Sequence, residues 1–413
     1  MKAYLEAYGC TLNVGESREA RALLARRGWD LVDAPEEADL AVLVTCVVIE
    51  KTEREMLKRV KALSGAHRLV ITGCMATACR GKAEEIAPEA EFVPPGDLAS
   101  LSAALDAEGV DERASRHVER YPFSIVPIST GCLGRCSYCM TQLARGQLKS
   151  RPIDAIVQSV EEAVSLGPTE VQLTAQDTAA YGSDIDTSLS ELIERVCEIP
   201  GDFRVRVGMM NPKSALQRLE DLVRLYSRAK VFKFLHLPVQ SGSDSVLGRM
   251  SRGYTVGDFE IIVSRLRGTV PELTLSTDLI VGYPGETEED HAANLRLISR
   301  VEPDIVNVTR FSERPGTAAA GDPHKVAGWK AKYRSRELTR LRFSISLGKN
   351  REWVGRKVRA LSTEPGKPGT TIFRTDEYKQ IVVPGRLELG AWSEIRVTGA
   401  TATYLKGLRE GPG

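Results

Sequence analysis

Cys132, Cys136 and Cys139 stand in the stretch STGCLGRCSYCMTQLARG, a CxxxCxxC spacing with Tyr138 before the last thiol. Three thiolates so close together, with no histidine beside them, make a poor zinc site. Structural zinc takes four protein ligands, and catalytic zinc usually recruits histidine or carboxylate as well. They suit a 4Fe-4S cluster whose fourth iron is left open for a non-protein ligand, since cysteine otherwise fills all four corners. A second set, Cys10, Cys46 and Cys74, is spread along the chain. Each member directly follows an apolar stretch that reads as a strand: AYLEAYG, ADLAVLVT and RLVITG. In an open parallel sheet the C-terminal strand ends lie along one edge, where ligands bind. Cysteines remote in sequence are thereby expected to converge there as ligands of a second iron–sulfur cluster, again with an open iron. Cys79 and Cys197 fall in helical stretches and read as packing residues, as buried free cysteines commonly are.

The elements around these residues divide into three segments. The first alternates strand and helix, with one helix beginning near Gly15 and closed by Gly28 and another from Glu50 to Leu63. That pattern predicts a parallel α/β sheet. The second, roughly 120–325, repeats strand and helix six times. Its strands are FSIVPIS, EVQLTA, FRVRVG, FKFLHL, LTLSTDLIV and DIVNVT, and its helices lie near 153–166, 188–198, 214–229, 255–268 and 287–300. Six such repeats predict a partial (β/α)6 TIM-like barrel, with the CxxxCxxC loop directly after the first strand and so at the C-terminal mouth. Thr287 and Asp290 have capping-box spacing. The third segment is a basic helix, about 325–347, followed by short alternating strands with Gly/Pro turns, a pattern that suits a small β-barrel.

Composition sets the outer bounds. The 413 residues are 42% hydrophobic and 27% charged, an ordinary globular mixture. The N-terminus MKAYLEAYGC lacks a signal-peptide core, and no apolar run is long enough to span a bilayer. The expectation is a cytoplasmic protein with reduced thiols and no membrane partner. A net charge of +1 hides a block at 325–359 with twelve Lys or Arg against two acidic residues. Such a block predicts a polyanion contact through Lys330, Lys332, Arg334, Arg336, Arg340, Arg342, Arg356, Lys357 and Arg359; the competing reading is a solvated helix face.

Taken together, these motifs resemble the radical SAM methylthiotransferases over nearly the whole chain. The resemblance rests on YGCTLN, TGCMA at Cys74, the cluster loop, HLPVQSGSD at 236–244, DLIVGYPGET at 278–287, FSERPGT at 311–317 and a TRAM-like C-terminal domain. Where the family usually has Asn-Thr-Cys, this chain has Val44-Thr45-Cys46, which leaves the ligand intact. CSYCMTQLARGQLKSRP is similar to the archaeal and eukaryotic branch, which modifies N6-threonylcarbamoyladenosine beside the tRNA anticodon. The resemblance implies four regions: an N-terminal methylthiotransferase domain (1–112), a radical SAM barrel (120–325), a basic linker helix (326–349) and a TRAM-like RNA-binding domain (350–407). It also implies two 4Fe-4S clusters and S-adenosyl-L-methionine. The Cys132, Cys136 and Cys139 cluster would generate a 5′-deoxyadenosyl radical that takes hydrogen from carbon 2 of the adenine. The Cys10, Cys46 and Cys74 cluster would deliver the methylthio group. A tRNA anticodon region, a reductant of flavodoxin or ferredoxin type and a sulfur donor are the implied partners, and a monomer is expected.

Several residues keep two readings. Gln240, Ser241 and Ser243 follow the fourth barrel strand and either hold the methionine or ribose of the cofactor or form a polar turn. Gly282 either lets the backbone approach the adenine or serves the turn with Pro284 and Gly285. Arg314 either contacts a phosphate or carboxylate or is a solvated loop arginine. His236 is expected to pack in the barrel. Isopentenyladenosine in tRNA and a ribosomal-protein aspartate are the alternative substrates within the family. Eleven Lys or Arg against seven acidic residues in 351–410 favour RNA over a basic protein. An iron–sulfur electron carrier or an RNA-binding module is the alternative of another class. Three-cysteine ligation speaks against the carrier, because carriers usually close all four corners.

Overall fold

In the computed structural model, which describes residues 1–65, 68–106, 123–165, 167 and 170–410, three bodies are packed in series. The first is a five-stranded, all-parallel sheet of β1 (Lys2–Ala7), β2 (Asp30–Val32), β3 (Leu40–Thr45), β4 (Arg68–Gly73) and β5 (Glu91–Phe92), in the order β2-β1-β3-β4-β5. β3 is buried throughout. Leu40 and Val42 meet Ala20, Leu24 and Leu101 on one face, while Ala41 and Leu43 meet Met56 and Val60 on the other. That two-sided burial is why the strand reads as a continuous apolar run. The sequence reading omitted β2 and β5, which are too short to show a periodicity.

The cysteine-bearing strands β1, β3 and β4 are immediate neighbours, so Cys10, Cys46 and Cys74 leave the same sheet edge. The first helix is Thr11–Arg26 with Cys10 as its N-cap, rather than starting near Gly15. Gly15 lies inside the helix, where a Cβ would sit 2.9 Å from Ile125 and 3.1 Å from Pro127. It permits the close approach of this helix to the central body.

The central body contains six parallel strands, β6 (Phe123–Pro127), β9 (Glu170–Thr174), β10 (Arg204–Val207), β11 (Phe234–His236), β12 (Thr274–Val281) and β13 (Ile305–Arg310). A two-stranded ribbon, β7 (Ser129–Thr130) with β8 (Lys149–Ser150), flanks the cysteine loop. The six strands form two three-stranded sheets, joined by the parallel bridge Val205↔Val231. The expected partial barrel is present. The expected helix at 214–229 is broken into Pro212–Gln217 and Leu219–Tyr226, and a helix Asp244–Arg249 follows the fourth strand. Thr287 and Asp290 form the expected capping box on the helix Glu288–Val301.

The third body is a closed five-stranded barrel of β14 (Lys357–Pro365), β15 (Thr370–Thr375), β16 (Gln380–Pro384), β17 (Trp392–Ala400) and β18 (Leu405–Arg409). It docks on the strand-start end of the central barrel. Tyr378 donates to Glu170 at 2.7 Å, Arg204 to Asp376 at 2.7 Å and Lys379 to Asp304 at 2.6 Å. The basic helix Gly328–Arg351 joins the two ends of the barrel. Ala331 packs beside Gly282 just past β12, and Ser346 donates to the Asp304 carbonyl at 2.8 Å, before β13. The domain limits expected at 112 and 120, and the helix end at 166, lie outside the described residues.

Candidate active site at the barrel mouth

The loop after β6 carries Cys132, Cys136 and Cys139 along the wall of a cavity of about 240 Å³. Val48 and Ile49, which follow Cys46, line the same cavity, together with Gln176, Met209, Gln240, Asp278, Arg310 and Phe311. The mouth therefore opens where the N-terminal sheet edge meets the barrel. Gly134 donates its N–H to Cys132 Sγ at 3.2 Å, and Arg252 Nη1 donates to Cys136 Sγ at 3.2 Å. Burial pushes the Cys132 thiol up to about 11 and raises Cys139 as well. Thiols held neutral in this way give up their protons to a metal when they ligate it.

Arg252 is held by four groups. Besides Cys136, it donates to the Pro238 carbonyl at 3.2 Å, to Tyr254 at 2.9 Å and to Tyr138 at 3.4 Å. It is a buried cation against the first thiol set. Arg145 is its counterpart at the second set. It ends the helix Met140–Arg145 after the cysteine loop and crosses to the first helix. Its guanidinium pairs with Glu16 at 2.5 and 2.8 Å and donates to Asn13 Oδ1 at 2.8 Å. Burial pushes the Cys74 thiol up to about 11, and Arg145 partly offsets that rise. Cys46 is raised by burial too.

Asn13 holds the second set in place. Its side-chain amide donates to the Tyr8 and Thr45 carbonyls, both at 2.8 Å, which precede Cys10 by two residues and Cys46 by one. Gly9, at φ +120°, keeps that approach possible, since a Cβ would lie 2.7 Å from the Cys46 Cβ. Among the described residues, no group of three or more His, Cys, Asp or Glu is placed to hold a single metal ion. The donor chemistry of both sets is thiol only, which fits iron–sulfur clusters, and a buried arginine beside each set offsets thiolate charge.

Other sequence-based assignments change. Ser241 bonds to Asn294 at 3.3 Å, while Ser243 caps the Asp244–Arg249 helix and donates to Asp290 at 2.5 Å. Both hydroxyls are buried and used internally, so neither offers a contact to a cofactor; only Gln240 of that group lines the cavity. Gly282, at φ +74°, faces the basic helix: a Cβ would lie 2.6 Å from Ala331 Cβ, so the glycine admits the close approach of that helix. Arg314 is neither solvated nor free. It is 2% exposed and ion-paired with Glu53, which Lys82 also holds at 2.6 Å, tying the barrel to the N-terminal body. His236 bonds to Asp278 at 3.2 Å inside the barrel, in keeping with a packing role.

The basic block also separates. Arg334 is buried and paired with Glu286 at 2.7 Å and Glu288 at 2.8 Å, so it is unavailable to a polyanion. Arg342 is half-buried and donates to the Val306 carbonyl. Arg356, Lys357 and Arg359 pair with Glu272, Glu410 and Asp202. Lys330 lies 3.9 Å from Glu288. Lys332, Arg336 and Arg340 are exposed on one helix face, with no partner among the described residues. Sequence reasoning missed Asn13, Glu16, Arg145, Arg252 and Arg310. Asn13 and Arg145 sat inside the quoted motifs, but nothing in their spacing disclosed a bond between them.

Comparison with known proteins bears on this geometry. The Radical SAM superfamily model matches residues 126–298, the uncharacterized protein family UPF0004 model residues 2–94, and the TRAM domain model residues 351–408. The probable threonylcarbamoyladenosine tRNA methylthiotransferase of Pyrococcus horikoshii is 41% identical, over 98% of this chain and 99% of that one. The tRNA-2-methylthio-N(6)-dimethylallyladenosine synthase of Dictyoglomus thermophilum is 31% identical, over 98% of both. Among solved structures, the radical S-adenosylmethionine methyltransferase TsrM from Kitasatospora setae superposes with a TM-score of 0.55 at 14% identity, over 90% of this chain and 81% of that one. That likeness supports the fold alone.

Proposed function

This chain belongs to the radical SAM threonylcarbamoyladenosine tRNA methylthiotransferase family, and from that premise we propose how its residues divide the reaction. The enzyme inserts a methylthio group at carbon 2 of N6-threonylcarbamoyladenosine in tRNA. Its cofactors are two 4Fe-4S clusters and S-adenosyl-L-methionine. One observation carries the assignment of roles: each all-thiol triad has a buried arginine beside it, and the cavity lined by Cys132, Cys136 and Cys139 is also lined by Val48 and Ile49, just past Cys46 of the second triad.

In this reading Cys132, Cys136 and Cys139 hold the cluster that binds S-adenosylmethionine, and Cys10, Cys46 and Cys74 hold the one that carries the sulfur. When bound, these groups supply radical cleavage of the sulfonium and the methylthio sulfur, chemistry that an unactivated aromatic C–H requires and side chains cannot perform. The protein's own work is placement. Asn13 and Gly9 fix the Cys10 and Cys46 loops, and Arg145 ties that edge to the radical loop. Val48, Ile49, Met209 and Phe311 offer an apolar wall for a base, and Gln240 a polar contact. Lys332, Arg336 and Arg340 hold the RNA backbone near the anticodon. A flavodoxin- or ferredoxin-type reductant, a sulfur donor, a cytoplasmic location and a monomeric state complete the reading. Among the described residues, no helix is long and apolar enough to cross a membrane.

Mass spectrometry of tRNA nucleosides from cells with and without the gene tests the substrate. Loss of 2-methylthio-N6-threonylcarbamoyladenosine alone is the expected result. Loss of the isopentenyl product instead would transfer the assignment to that base.

A further inference from the structure

We propose that Arg310 recognises the carboxylate of the threonylcarbamoyl group and so sets the choice of substrate base; this rests on the substrate reading above. Arg310 ends β13 and lines both the cysteine cavity and an adjoining one of about 620 Å³. The two share Ile49, Thr309, Phe311 and Ser312 as well, so Arg310 stands where one opens into the other.

The other cations bordering these cavities are engaged. Arg252 is bonded to Cys136, Tyr138, Tyr254 and Pro238, and Arg314 to Glu53. Lys325 pairs with Glu313 at 2.8 Å, and Lys51 lies 3.9 Å from Glu55. Arg310 is exposed and has no side-chain partner among the described residues. The bordering carboxylates are engaged too: Asp278 with His236 and Asn307, Asp322 with His324, Glu50 with Arg54 and Glu313 with Lys325. The junction thus holds one guanidinium without a side-chain partner among the described residues, while each bordering carboxylate already has one, so an incoming carboxylate finds its donor in Arg310.

The substrate base carries such an anion. Threonylcarbamoylation leaves the amino acid's carboxylate free, whereas an isopentenyl group has neither charge nor polar atoms. A guanidinium matches a carboxylate with two parallel hydrogen bonds. Thr309 and Ser312, on either side of Arg310 and Phe311, offer hydroxyls for the carbamoyl and threonine oxygens. Val48 and Ile49, 46% and 39% exposed, offer the apolar surface a base would cover.

The test uses the reconstituted holoenzyme and an anticodon stem-loop RNA carrying N6-threonylcarbamoyladenosine, either as the free acid or as its methyl ester. Fluorescence anisotropy gives dissociation constants for wild-type, Arg310→Gln and Arg310→Lys proteins. Wild type should bind the acid roughly 10- to 100-fold more tightly than the ester, as expected for a charge-assisted pair. Arg310→Gln should bind both with the ester's affinity, and Arg310→Lys should recover part of the difference. Equal weakening of acid and ester in Arg310→Gln would assign the residue to an RNA phosphate and overturn the proposal. So would wild type that ignores the ester, or a rise in the dissociation constant for S-adenosylmethionine, which would assign Arg310 to the cofactor's carboxylate. Failure of wild type to convert the acid RNA, read by mass spectrometry, would instead refute the substrate reading itself.

Discussion

Neutralising Lys332, Arg336 and Arg340 to Gln should flatten the salt dependence of tRNA binding while leaving the fold intact. The three recur every fourth residue on the helix Gly328–Arg351, about 6 Å apart along its axis. They face solvent without partners among the described residues. Trp329, 70% exposed, and Tyr333, 55% exposed, lie beside them. Each phosphate neutralised adds roughly 0.7–0.9 to the slope of log K against log salt. Losing three contacts should therefore reduce the slope by about 2–3. Between 50 mM and 200 mM salt, a fourfold change, that corresponds to roughly 20- to 40-fold of salt-sensitive affinity. Filter binding of whole tRNA across a salt series measures it. Arg334→Gln is the control. It breaks a buried pair with Glu286, at a cost of about 3–5 kcal/mol, so its melting temperature should fall while its salt slope stays at the wild-type value. An unchanged slope in the triple variant, or a flattened one in Arg334→Gln, would refute the division of this helix into an RNA face and a packing face.

Changing Cys132, Cys136 and Cys139 to Ala should halve the iron content and abolish 5′-deoxyadenosine formation. The same change at Cys10, Cys46 and Cys74 should halve the iron but leave deoxyadenosine formation in place without methylthio product; iron assay and chromatography distinguish the two. Glu16→Ala should cost about 3–5 kcal/mol by stranding the Arg145 charge. Pairing Glu16→Met with Arg145→Met should restore most of the loss in a thermal melt; no recovery would mean that the ion pair is not the unit being broken. Arg252→Leu removes a charged donor from Cys136, so the oxidised cluster gains relative to the reduced one. Its potential should move on the order of 60–130 mV negative, measured by redox titration followed by EPR. A positive shift would show that the hydrogen bond acts otherwise.

What could be read from the sequence was whatever has a period or a spacing. The CxxxCxxC loop, the strand–helix alternation and the Thr287–Asp290 capping box are local patterns, and each is present, although the first helix starts earlier and the 214–229 helix is broken. The convergence of Cys10, Cys46 and Cys74 was also legible, because parallel strands put equivalent ends on one edge and β1, β3 and β4 are neighbours. Pairings between distant elements were not legible. Arg145 and Glu16 are 129 residues apart, and Arg314 and Glu53 are 261 apart. Most of the charge block at 325–359 was correctly placed on a helix, with Arg356, Lys357 and Arg359 at the entry to the β domain, yet composition carries no information about which way each residue faces. Arg334 and Arg336 differ by two positions and lie on different faces. Ser241, Ser243 and Gly282 kept two readings for the same reason, because a small or polar residue beside a site looks the same in sequence whether it faces the ligand or the scaffold.

The helix joining the two ends of the barrel has one further consequence. Its 24 residues make a rod of about 36 Å, rigidly bonded at both ends. The C-terminal barrel that could grip RNA sits at the foot of the rod, and the chemistry sits at its head. Such a molecule works as a calliper. A nucleotide is presented to the mouth because it lies at the right reach from wherever the foot takes hold, whatever its neighbours spell. Selection of the nucleotide then follows from length, and sequence reading is needed only for the base that enters.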